Sequence, residues 1–250
     1  MRSHIFVLGL VAACGGGGGG DNPSDVDGAP DVPDAMPRPD AETQAPVMIT
    51  ISGIAGEGGL SGTTPVQGVS VALFRTTDDS APVATDTTDG SGAFSFTIDS
   101  GGVPVDAYVK ATMPGQYMDA YVYPPAPFSG DSTGNDINMI TPSNFNLLSS
   151  FAGGNQQDGM GFIAMAVVDE TGAAVGGATV ASSPASATYR YDDSNGYPSS
   201  SATSTASDGF SFMFNVPGHV TVSASKPGVT FRDHAVFARP NAFTTTAIAP

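Results

Sequence analysis

The amino-acid sequence predicts an all-β protein, built as two tandem small antiparallel β-sandwiches with one short connector helix between them. Three observations carry this expectation. A polar turn opening onto alternating large apolar residues occurs twice, as Asp89-Gly90-Ser91-Gly92-Ala93-Phe94-Ser95-Phe96-Thr97-Ile98 and as Ser207-Asp208-Gly209-Phe210-Ser211-Phe212-Met213-Phe214. Such period-2 alternation marks a half-buried strand. The same neighbours recur around each copy: Val66 to Val71 and Val175 to Val180 upstream, Val109 to Gly115 and Val222 to Gly228 downstream. Blocks repeated in one order, about 110 residues apart, indicate an internal duplication. Finally, the apolar segments are short and no long helical period interrupts them.

The 250 residues suffice for two ordinary domains. Lys and Arg number 8 against 24 Asp and Glu, a net charge of −16 that repels nucleic-acid phosphate, so nucleic acid is not an expected partner. A charged fraction of only 13% with abundant Gly, Ser, Thr and Pro suits extracellular β modules. With one cysteine, no intrachain disulfide can form, and tryptophan, the strongest sugar-stacking residue, is absent.

At the N-terminus, Arg2 and His4 precede an apolar run from Ile5 to Val11, too short to span a bilayer as a mature helix and laid out like a secretory signal. Val11-Ala12-Ala13-Cys14 resembles the bacterial lipobox. The resemblance implies a signal peptide over 1–13 and a lipidated Cys14 as the mature first residue, tying the protein to a membrane through several acyl chains. Each buried CH₂ of such a chain contributes about 0.8 kcal/mol. Gly15 rather than Asp follows the cysteine, so the implied address is the cell envelope at the outer membrane. Residues 14–46, rich in Gly, Asp and Pro, read as a disordered tether. At ~3.1 Å per residue it would hold the first domain up to roughly 80–100 Å from the lipid. Asp21, Asp25, Asp27 and Gly28 lack the ligand series and closing Glu of a calcium loop.

The first sandwich is expected over 47–128. Ile49 and Ile51 begin a strand ending at Gly53; Val69, Val71 and Leu73 face the core of the next; a strand is read at Val83 to Thr88. Phe94, Phe96 and Ile98 point inward, as do Val109 and Ala111 with Lys110 turned to solvent. Pro65, Val66, Gly68, Val69, Val71, Asp89, Gly92, Phe94 and Phe96 carry a pattern that resembles carboxypeptidase regulatory-like domains. That family implies a transthyretin-like, Greek-key sandwich grouped with carbohydrate-binding-like folds, and implies no activity of its own. From Tyr117 to Phe128 the chain is rich in aromatic residues and proline; Tyr117, Tyr121 and Tyr123 are candidate stacking platforms for a sugar or a protein, unless the segment is an edge strand folding its rings onto its own sheet.

The connector, 129–158, holds the helix, over Asn144 to Ala152. Thr141 suits its cap, Pro142 its first position and Gly153 its end, while Phe145, Leu148 and Ala152 form one stripe. The second sandwich is expected over 159–250. Its Phe162 to Val168 run is continuously apolar and so central, and Val175 to Val180 is the next strand. Here Val167, Asp169, Gly172, Val175, Gly177, Ala178 and Val180, with Asp208, Gly209, Phe210 and Asn215 to Gly218, resemble the same family and tandem surface lipoproteins of bacteria. Between its strands, Tyr189-Arg190-Tyr191-Asp192-Asp193-Ser194-Asn195-Gly196-Tyr197-Pro198 departs from the repeat. Tyr189, Arg190, Tyr191 and Tyr197 make it a candidate recognition loop, or Asn195-Gly196 simply turns a decorated hairpin.

Catalytic signatures are missing. After the signal only His219 and His234 remain, no Gly-x-Ser-x-Gly elbow occurs, and zinc sites want more His or Cys. The intradiol dioxygenases use a related sandwich with iron on two Tyr and two His; Tyr189, Tyr191, His219 and His234 are the sole candidates, and the His-x-His pair of that family is lacking. The transthyretin-type hydrolases end in Tyr-Arg-Gly-Ser, which is also lacking. Carboxylates at the Asp86/Asp89 and Asp192/Asp193 turns suit weak Ca²⁺ contact at most. The sequence therefore reads as a non-catalytic, cofactor-free, lipid-anchored protein presenting two modules for structural or adhesive contact with an envelope protein or polysaccharide. A carbohydrate-binding surface lipoprotein is the alternative, and a metal-dependent enzyme on a related sandwich the distant one.

Overall fold

Alternation of apolar and polar residues places strands where the chain needs one buried face. The computed structural model describes residues 45–59 and 62–250. The expected signal, the tether and Cys14 lie outside the described residues. In the first half the strands are β1 (Met48–Gly59), β2 (Gly62–Pro65), β3 (Ser70–Arg75), β4 (Ala84–Thr87), β5 (Ala93–Asp99), β6 (Ala107–Thr112), β7 (Asp119–Tyr123) and β8 (Ile137–Met139). After helix α1 (Pro142–Ala152) follow β9 (Gly161–Val167), β10 (Thr179–Ser183), β11 (Thr188–Asp192) and β12 (Pro198–Ser199). Then come β13 (Phe210–Val216), β14 (His219–Ser225), β15 (His234–Phe237) and β16 (Ala242–Ile248). The fold is all-β apart from α1.

Each half is a two-sheet sandwich. In the first, β1 lies with β5 and β8 on one side and β3 with β4, β6 and β7 on the other. Ile49, Ile51, Val71, Leu73, Phe94, Phe96, Val109 and Val122 fill the space between. In the second, β11, β13, β9 and β16 face β10, β14 and β15 across Ile163, Met165, Met213, Val180, Val222 and Val236.

The duplication is visible bond by bond. The Thr88 hydroxyl accepts from Val69 N and donates to Val66 O, while Thr88 O accepts from Gly68 N. Thr205 does the same with Ala178 N, Val175 O and Gly177 N. Gly92 and Gly209 both sit at φ 75, each accepting from the first sheet's central strand, at Ala55 N and Val167 N. At either glycine a Cβ would lie 2.5 Å from a backbone oxygen, of Ala55 and of Val167 respectively, so only glycine fits.

These fixed points correct the register read from the sequence. Counted from its glycine, Phe94 corresponds to Ser211 and Phe96 to Met213, so Phe212 corresponds to Ser95. The Phe-x-Phe alternation is thus shifted by one residue, and a one-residue shift exchanges the faces of a strand. Phe94 and Phe96 fill their own sandwich. Phe212 and Phe214 instead leave their sandwich interior to Met213 and join Phe162 and Phe243 on the outer face, beneath α1.

Helix α1 exists to cover that face. Thr141 caps it, its hydroxyl accepting from Asn144 N; Pro142 starts it, and Gly153 ends it in the left-handed region at φ 61. Its buried Phe145 meets Phe162 edge-on at 5.0 Å.

Two further expectations are adjusted. β1 continues through Gly53, where a side chain would strike Asn135 O, because the 129–136 stretch runs along its edge. That stretch, read as connector, supplies Asp131 to Thr50 N, Ser132 O to Ser52 N and Asp136 to Ile54 N, and leads into β8, which pairs in parallel with β1. Covering an edge in this way prevents it from pairing with a second chain. Likewise, the strand read at Val175 to Val180 begins only at Thr179, since Gly176 and Gly177 turn the chain.

The two halves share a sheet. β16 pairs in parallel with β9 and, on its other side, in parallel with β7 of the first half, with Ala242 opposite Asp119 and Thr246 opposite Tyr123. One nine-stranded sheet, β12-β11-β13-β9-β16-β7-β6-β3-β4, therefore crosses the whole protein.

Candidate functional site

At the seam, β6 and β7 turn Ala107, Val109, Ala120 and Val122 into the first sandwich. Period 2 sends Tyr108, Tyr121 and Tyr123 to the opposite face, where they become part of the second core. Tyr108 stacks on Phe74 at 5.5 Å and on Tyr123 at 4.9 Å. The loop from β15 to β16 brings Arg239 over these rings, its guanidinium 4.9 Å from Tyr108, 4.3 Å from Tyr121 and 4.4 Å from Phe237. It also donates to the hydroxyls of Tyr108 and Tyr123, each at 2.9 Å, and to Asp79 at 3.2 Å. One cation thus joins both halves through its face and its edge.

Burial raises the Tyr108 phenol to about 12, with the Arg239 charge opposing the rise; Tyr123 is raised by the same cause. Both are neutral donors and acceptors at ordinary pH. Beside them opens a cleft of about 250 Å³, walled by Thr76, Asp79, Ser183, Thr221 and His219, the last stacked on Phe237 at 3.8 Å. A second cleft, about 430 Å³, opens between the start of β7 and α1. Tyr117, Asn146, Gln156, Gln157 and Asp158 line it, and the Tyr117 hydroxyl donates to Glu57 at 2.8 Å.

The candidate platform residues are not a single exposed surface. Tyr121 and Tyr123 are buried at the seam, on a strand rather than a loop, because the second half covers that face of β7. Tyr117 borders the β7–α1 cleft, and Tyr123 borders the cleft at the seam. The 189–198 insertion is likewise structural. The Tyr189 hydroxyl accepts from Ser182 N and Ser186 N, and that of buried Tyr191 from Val180 N, so both brace β10 from inside the sandwich. Arg190 projects from the other face and donates to Ala152 O and Gly153 O, closing the last turn of α1. Tyr197 is half-buried, its amide held by Asp193. Tyr121, Tyr123 and Arg190 are covered because outer sheet faces that look solvent-bound in a lone sandwich lie here under the other half and under α1, whereas Tyr189 and Tyr191 turn into their own sandwich.

Of the histidines, His234 meets Tyr123 edge-on with ring centroids 6.3 Å apart, and His219 lines the seam cleft. His219 is exposed opposite Phe237, whereas His234 stands opposite Val222, lowered from its ordinary pKa by burial. Among the described residues no three His, Cys, Asp or Glu side chains gather as a metal cluster. At the far end of the second half, buried Asp192 is raised to about 8 by burial first, then by the Asp208 and Asp193 carboxylates. Sequence reasoning missed Arg239 altogether. Its sole signal is position, a basic residue among few, directly before the last apolar strand.

No known protein family and no curated protein matches the chain. Several solved structures are similar at low identity. The Bacillus anthracis TIE protein is 12% identical over 82% of this chain, with a TM-score of 0.27, and the chain spans only 34% of that protein's length. The shaft pilin SpaA from Lactobacillus rhamnosus GG is 15% identical, covering 83% of this chain and 98% of its own, at a TM-score of 0.25. A minor pilin of Streptococcus agalactiae gives 14%, 81%, 94% and 0.26 in the same order. At these scores the likeness decides nothing about function.

Proposed function

We propose that the protein is a non-catalytic cell-envelope component, held to the membrane by lipid on Cys14, that presents two sandwiches as one stiff unit for structural or adhesive contact. The observation that carries the stiffness is the β7–β16 pairing. A shared sheet with a buried Arg–Tyr cluster leaves the halves no free hinge, which suits a load-bearing spacer better than a flexible ligand clamp. The anchor rests on the sequence around Cys14.

Fractionation of producing cells tests the anchor. Wild type is expected in the membrane fraction, labelled by a fatty-acid probe, and Cys14→Ser in the soluble fraction without label. A soluble, unlabelled wild type overturns the anchor.

The β7–α1 cleft favours saccharide binding as a second reading, because amides and carboxylates beside a tyrosine ring match the hydroxyl and CH faces of a sugar. Glycan-array binding lost in Tyr117→Ala and Gln157→Ala would support it, and an array without signal would remove it.

A further inference from the structure

The end of the second sandwich carries an arrangement that its packing does not explain. Asp192 closes β11 and is only 2% exposed, yet its Oδ1 has no hydrogen-bond partner. A buried carboxylate oxygen without a donor is costly, and native structures nearly always provide one. The nearby basic residue does not serve it, since Arg190 is committed to the end of α1. Neither of the two ion pairs among the described residues involves it; those are Lys110–Asp119 and Arg239–Asp79.

What faces Asp192 is a second carboxylate. Asp208 ends the turn before β13, on the strand that pairs with β11 through Tyr191 and Ser211. Its Oδ1 accepts from Phe210 N at 3.1 Å, while Oδ2 lies toward Gly196. Asp193, by contrast, is spent within its own turn, where Oδ1 accepts from Asn195 N and Tyr197 N. The two side chains interact, and with Asp192 raised to about 8 a proton lies between them at neutral pH, one that a cation binding here would displace.

We propose that Asp192 and Asp208 form a binding site for a hard divalent cation, with Ca²⁺ the fitting ion. Ca²⁺ takes six to eight oxygens in flexible geometry and accepts water among them, so two protein carboxylates suffice to nucleate a site. Two charges make a weak site, in the range of about 10⁻⁴–10⁻³ M that serves extracellular modules. The bound ion ties the 193–209 loop to the end of β11 and steadies one end of the long sheet.

Thermal unfolding of the described domains' full chain, purified with chelator and titrated with CaCl₂, tests this. At a tenfold excess over Kd the midpoint should rise by about 3–6 °C. Asp192→Asn and Asp208→Asn should each abolish the rise, and Asp89→Asn, in an acidic turn of the other half, should keep it. The protein lacks tryptophan, so tyrosine-sensitised Tb³⁺ luminescence on wild type, displaced by Ca²⁺, reads the site even if a variant folds poorly. No shift and no displaceable luminescence overturn the proposal. So does a response lost equally in Asp89→Asn, which would mean diffuse counter-ions, or one retained in both Asp192→Asn and Asp208→Asn.

Discussion

Replacing Arg239 by Ala should cost the protein about 3 kcal/mol, and the figure can be assembled from its contacts. The side chain donates to the phenols of two buried tyrosines, at 2.9 Å each, worth about 1 kcal/mol apiece. Its guanidinium also lies over three aromatic rings, and a cation–π contact contributes about 0.5–1 kcal/mol when partly exposed. The Asp79 pair adds little, because that carboxylate is largely in solvent. Arg239→Lys keeps the charge but not the two-sided fork, so about half of the loss should remain. Urea unfolding followed by tyrosine fluorescence and by circular dichroism gives the numbers. A double-mutant cycle with Tyr123→Phe should return a coupling of about 1 kcal/mol. A cost below about 0.5 kcal/mol for Arg239→Ala, or a coupling of zero, would refute the view that this cation locks the seam.

Other outcomes follow from the same reasoning. Phe162→Ala should destabilise by about 3–5 kcal/mol, because its buried ring meets Phe145, Phe214 and Phe243 and is the platform of α1; denaturant midpoints measure it. Thr141→Ala should cost about 1 kcal/mol and loosen amide protection in the first turn of α1. Gly209→Ala, forced into a left-handed conformation against Val167 O, should destabilise more than Gly101→Ala, whose added Cβ meets nothing. Alkali should unfold the protein as pH rises from about 10 through 12, since the neutral Tyr108 is favoured in the fold; Tyr108→Phe should flatten that limb. Acid acts oppositely at Asp89 and Asp169. Hydrogen bonds from Ser91 and Thr171 hold their carboxyls below the ordinary value, so their support is present above it and lost as pH falls through the folded values. Asp89→Asn should weaken that acid limb.

Local chemistry made some parts of this fold readable and left others hidden. The helix was legible to its caps, since Thr141, Pro142 and Gly153 each act through their own backbone. Strand faces in the first half were legible because Val69, Val71, Phe94 and Phe96 alternate against one core. In the second half the loudest signal, Phe210-Ser211-Phe212-Met213-Phe214, pointed to the wrong face: both faces of β13 are buried, and alternation cannot tell a sandwich core from a helix-covered one. The left-handed glycines were the truer register marks. The seam was hidden for a related reason. Nothing local in Ala242 to Ile248 says that its strand has two parallel neighbours, one of them in the other half. Consequently the tyrosines of β7 looked available when a strand distant in sequence covers them, while those of β11 turn into their own sandwich to brace β10.

The seam also orders events during synthesis. β7 leaves the ribosome long before β16, and Tyr121 finds Thr244 only after more than a hundred further residues are made. Until then the first half carries an unpaired, tyrosine-rich edge, and this long-range pairing should be among the last and slowest steps of folding. At high concentration a neighbouring chain's β16 competes for that edge, so crowded refolding should produce strand-exchanged oligomers, whereas a chain truncated before Ala242 has no β16 to donate and should keep its β7 edge open to one supplied in trans.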